Sequence, residues 1–118
     1  MKKYRIKASL SSNNSNHQFI SDAKIKDNII EYLENENIKV TLNIEKNILK
    51  RASNEMEMKF YFDTKEITNN RMNILEINKE INFLIKTKEI TKTDKSYKVI
   101  YEIIDNDTFI YEVNIMED

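Results

Sequence analysis

The segment SYKVIYEIIDNDTFIYEVNI, residues 96–115, decides the fold. Tyr97, Val99, Tyr101 and Ile103 occupy alternate positions, and after Asp105-Asn106-Asp107 the same period returns in Phe109, Tyr111, Val113 and Ile115. A period of two is the mark of a strand with one buried face. Two such runs joined by three short polar residues read as an antiparallel hairpin.

Working outward, the same period governs most of the chain. Tyr4, Ile6, Ala8 and Leu10 form one inner row, and Phe19, Ser21, Ala23 and Ile25 a weaker one. Ile38, Val40, Leu42 and Ile44 make a third, Met56, Met58, Phe60 and Phe62 a fourth, and Ile81, Phe83, Ile85 and Thr87 a fifth. Polar clusters separate the rows: SSNNSN at 11–16, Asn35-Glu36-Asn37, Glu45-Lys46-Asn47, Ser53-Asn54, Asp63-Thr64-Lys65, Asn69-Asn70, Asn78-Lys79 and Thr93-Asp94-Lys95. The chain holds no glycine, so Asn and Asp, whose side chains can bond local backbone, must supply the left-handed turn positions. Turns at these intervals along an alternating chain predict an all-β antiparallel meander, a barrel or a strongly curved sandwich, in one domain over residues 1–118. One segment argues otherwise. In NIIEYLENE, residues 28–36, Ile29, Ile30 and Leu33 have helical spacing behind a capping box of Asn28 and Glu31, so helix and strand both remain open there.

Composition removes whole classes of activity. Without glycine there is no phosphate-binding loop, dinucleotide turn or nucleophile elbow, each of which needs glycine's backbone freedom. Without cysteine there is no disulfide, thiolate nucleophile or cysteine-held metal. His17, the single histidine, lies beside the polar SSNNSN run and reads as a solvated residue; no cofactor is expected. The net charge of −1 has its signs mixed along the chain, which argues against nucleic acid despite a small basic start at Lys2, Lys3, Arg5 and Lys7. No apolar run of signal-peptide length follows those lysines and no stretch is long enough for a membrane helix, so a cytoplasmic location is expected.

From residue 29 onward the order of patterns resembles the YwiB-like family of small bacterial proteins. IIEYLEN is followed by IKVTLNI and then by NILKRASNEMEMKFYF, where Arg51 matches the arginine of the family's Arg-Ser-Gly signature while Ala52 and Ser53 depart from it. EINFLIKTKEI is similar to the family strand that runs from a glycine, here Lys79, to a threonine, here Thr87; YKVIYEI places Tyr101 at the family's tyrosine. The resemblance implies a calycin-like, lipocalin-type barrel of about eight strands with residues 28–34 as a strand. It carries no activity with it.

A barrel of about eight strands is just wide enough to be filled by side chains or to hold one small ligand. Most of the large inward residues are expected to pack as core. Tyr97, Tyr101 and Tyr111 fall on one inner face, where their hydroxyls need partners: each other, Arg51, water or a ligand. Arg51 reads either as a surface arginine paired with a carboxylate such as Glu55, or as an arginine at the barrel mouth that orients the carboxylate or phosphate head of an amphipathic ligand. The expected function is thus non-enzymatic binding of a small apolar or amphipathic molecule by Arg51, Tyr97, Tyr101 and Tyr111. The alternative is a filled barrel that recognises an unidentified protein partner, with Ile20, Leu84 and Ile100 as candidate outer patch.

Overall fold

Alternation becomes a single sheet. The computed structural model describes residues 3–116, and Lys2 of the basic start lies outside them. The described residues form ten strands: β1 (Lys3–Ser11), β2 (Asn16–Lys26), β3 (Ile29–Leu33), β4 (Lys39–Asn43), β5 (Ile48–Ala52), β6 (Met56–Tyr61), β7 (Thr68–Ile74), β8 (Lys79–Thr93), β9 (Ser96–Ile103) and β10 (Thr108–Met116). Every strand pairs antiparallel with its chain neighbours, and β1 pairs with both β2 and β10, so the meander closes into a barrel.

The expected all-β antiparallel barrel is present, with ten strands in place of about eight. The two additional strands are β5 and β7, and each hid for a physical reason. Strand β5 turns only Leu49 and Arg51 inward, so its inner row shows one apolar residue. Strand β7 contains Asn69-Asn70, which reads as a turn. Instead Asn70 is wholly buried; its Oδ1 accepts from the Tyr61 N–H at 2.6 Å and its Nδ2 donates to the Thr68 carbonyl at 3.1 Å. The side chain amide thereby takes over hydrogen bonding where the β6–β7 ladder stops at Lys59 and Arg71.

The ambiguous segment is a strand, Ile29–Leu33. Asp27 and Asn28 have φ of 53° and 67°, which fits the two-residue hairpin turn that matches strand twist. A helix N-cap needs an extended backbone, so this φ removes Asn28 as a cap. The other positive φ values among the described residues fall on Asn47, Asn78 and Asp105, so Asn and Asp fill this role throughout. Strand β8 pairs first with β7 and then with β9, and an irregularity between Thr87 and Glu89 bends it around the barrel.

The connections at 12–15, 34–38, 53–55, 75–78 and 104–107 lie at one end, called upper here, and those at 27–28, 44–47, 62–67 and 94–95 at the other. Ile6, Ile30, Leu42, Tyr97 and Val113 are each at most 2% exposed and fill the interior toward the lower end. The outer face carries Arg5, Lys24, Lys50, Lys59 and Lys86 in exposed positions. No helix among the described residues is long and apolar enough to cross a membrane.

Because Asn70 replaces ladder bonds inside the wall, Asn70→Ala is expected to destabilise the barrel by about 2 kcal/mol, the cost of leaving the part-buried Tyr61 N–H unmatched. Urea unfolding checks this, and a change within experimental error would show that the ladder re-forms without the amide.

Candidate functional site

Packing is not uniform along the barrel axis. The upper half encloses a cavity of about 290 Å³, at the low end of the size range of small-molecule sites. Its apolar wall includes Leu10, Phe19, Val40, Leu49, Met58 and Ile103. Aromatic rings form the rest: Tyr101 stacks on Phe109 with centroids 5.5 Å apart, and Phe60 meets Tyr101 edge-on at 6.1 Å. His17 stands at the rim, its ring 5.6 Å from that of Phe19.

Register places the polar groups. Tyr32, Val40, Arg51 and Met58 are direct cross-strand partners, one inner row running over β3, β4, β5 and β6. Arg51 therefore points into the barrel beside the apolar row. Its Nη2 donates to Glu34 Oε2 at 2.5 Å, and the two side chains are only 26% and 17% exposed. Arg51 Nε is buried and has no hydrogen-bond partner among the described residues. Across the interior, the hydroxyls of Tyr32 on β3 and Tyr111 on β10 share a buried hydrogen bond of 2.6 Å.

Of the four expected site residues, the structure brings three together. Arg51, Tyr101 and Tyr111 line the same cavity. Tyr97 does not join them: it is wholly buried toward the lower end, and its hydroxyl donates to Asn47 Oδ1 at 3.2 Å in the β4–β5 connection. Arg51 is partly buried, and its carboxylate partner is Glu34 and not Glu55, which is exposed. The sequence reading missed Tyr32 and Glu34. Tyr32 was detectable from its alternation with Ile30 once 29–33 is a strand, whereas Glu34 sits in the β3–β4 connection, where no periodicity applies.

The cavity wall has a seam. The β2–β3 ladder stops at Ala23 and Tyr32, so among the described residues Asn16–Asp22 pair on the β1 side alone. Ser21 Oγ spans the opening to the Leu33 carbonyl at 3.1 Å. The outer patch expected from Ile20, Leu84 and Ile100 does not assemble: Ile20 stands opposite Lys7, Leu84 opposite Asn69, and Ile100 opposite Ile110 and Glu89. No group of three His, Cys, Asp or Glu among the described residues is placed to hold a metal ion.

A scan of protein-family models and a search of curated proteins find no match to the chain. Among solved structures it is similar to the ywiB protein from Bacillus subtilis, with a TM-score of 0.54 at 12% identity over 98% of this chain and 90% of that one. At such identity the likeness shows the fold alone, and the fold is YwiB-like.

Burial raises the hydroxyl pKa of Tyr32, Tyr97, Tyr101 and Tyr111 well above the ordinary value of 10.0, with the Tyr32–Tyr111 bond and Arg51 modifying the effect. Native tyrosines stay protonated where unfolded ones ionise, so their contribution to stability is fully present below pH 10 and is lost as pH rises beyond it. Each buried tyrosine adds a slope of up to about 1.4 kcal/mol per pH unit. Tyrosinate absorbance from Tyr32, Tyr97, Tyr101 and Tyr111 is expected to appear together with unfolding, and Tyr111→Phe to lessen the slope; ionisation of these four in the folded state would contradict this.

Proposed function

We propose that this protein is a calycin-like carrier that binds one small apolar or amphipathic molecule inside the upper half of its barrel, without chemistry on it. The observation that carries the reading is the cavity itself: an aromatic and aliphatic enclosure beside a single paired arginine. A few polar groups set into an otherwise apolar pocket are the common design of small-molecule sites, the polar ones fixing orientation. The meander topology and its closure through β1 favour the calycin comparison. A binding role fits the site chemistry better than catalysis. Glu34 is tied to Arg51, and the cavity tyrosines are held protonated.

Recognition of a protein partner by the outer face has less support, since Ile20, Leu84 and Ile100 are dispersed.

Native mass spectrometry of protein purified under mild conditions is expected to show an extra mass that unfolding releases. An apolar fluorescent probe should bind the wild type, and Ala8→Phe, which puts a ring into the cavity from β1, should weaken that binding at least about tenfold, or 1.4 kcal/mol. A bare chain mass together with no probe uptake would overturn the reading.

A further inference from the structure

The polar groups of the cavity are unequal in a way that specifies the head of its ligand. Glu34 occupies Nη2 of Arg51, so the pair is neutral as a unit. Donors remain in surplus. Arg51 Nε is buried without an acceptor, Nη1 makes no hydrogen bond to a described residue, and neither does the Tyr101 hydroxyl. The shared Tyr32–Tyr111 bond uses one of two hydroxyl protons and leaves the other to donate. What the buried Arg51 Nε lacks is an acceptor, and an unmatched buried donor is costly.

Charge at the entrance narrows the choice. The upper connections carry Glu34, Glu36, Glu55, Glu76, Asp105 and Asp107, and neither Lys nor Arg. The lower connections mix both signs, Lys46, Lys65 and Lys95 beside Asp27, Glu45, Asp63, Glu66 and Asp94. A carboxylate or phosphate approaching from above meets like charge at the rim, and inside it would stand beside the Glu34 carboxylate with only an already paired arginine to balance it.

We propose that the cavity selects an uncharged amphiphile whose head is a hydrogen-bond acceptor, a carbonyl or an amide, and discriminates against carboxylate and phosphate heads. The acceptor meets the free Arg51 and Tyr101 donors, and the apolar body lies against Phe19, Met58 and Phe109. This rests on the ligand-barrel reading and adds the head-group class to it. Glu34 becomes the specificity-determining residue, acting by neutralising Arg51 before any ligand arrives.

The test displaces a bound apolar fluorescent probe from the full chain with a medium-chain amide, carboxylate and amine of equal length. The amide is expected to compete at a concentration about ten times lower than the carboxylate. In Glu34→Gln, which keeps an acceptor for Arg51 and removes the competing charge, the ratio of carboxylate to amide affinity should rise about tenfold. A structural role for Glu34 would move both ligands together. The wild-type comparison stands even where the variant folds poorly, as its thermal transition would reveal. Equal or tighter binding of the carboxylate to the wild type overturns the proposal, as does preference for the amine. Probe that binds in an Ala8→Phe-sensitive manner but yields to none of the three overturns the head-group assignment and leaves the ligand cavity standing. Absence of probe binding removes both.

Discussion

Closure of the sheet through β1 is the constraint on which the structure depends. From Arg5 to Ser11 this strand is paired on both sides, with β2 through Asn16–Asp22 and with β10 through Ile110–Met116. A closed meander has no free end strands, and every interior residue must then fit a volume set by strand number. With ten strands the enclosed space exceeds what an eight-stranded barrel of similar residues would hold. Large side chains fill it toward the lower end. At the upper end the aromatic rings do not, and a cavity remains.

The same closure explains the chemistry of the site. Arginine on an inner barrel face is costly unless its charge is matched, because the surroundings are apolar. Glu34 provides the match from the β3–β4 connection, which β3 and β4 hold directly above the row containing Arg51. The Tyr32–Tyr111 bond does the equivalent for two hydroxyls, joining walls that are three strands apart around the ring. These two polar contacts satisfy most of the buried groups in the upper half. Arg51 Nε is the buried side-chain atom left over among the described residues.

The absence of glycine is felt in the wall and not only in the turns. Asn and Asp adopt the left-handed conformation at Asp27, Asn28, Asn47, Asn78 and Asp105, so the hairpins close without it. Asn70 shows the opposite use of the same residue type. There the amide is drawn inside, where its donors and acceptor replace a backbone ladder that has run out. A side chain that mimics backbone serves a turn in one place and a strand in another, and local sequence does not distinguish the two.

Local sequence by itself determined the fold class, most strands and the inward rows, because strand periodicity is a short-range property that survives any register. It determined too that Tyr101 and Tyr111 face inward, from parity with their neighbours, and left Arg51 open between the surface and the mouth. Strand number was decided by tertiary structure: β5 and β7 exist because neighbouring strands pair with them, not because their own residues alternate clearly. Tertiary structure also decided that Tyr97 turns away to Asn47 and that Glu34, in a connection without periodicity, meets Arg51. Such pairings depend on strand stagger around a closed ring, a distance in space that spacing along the chain does not encode.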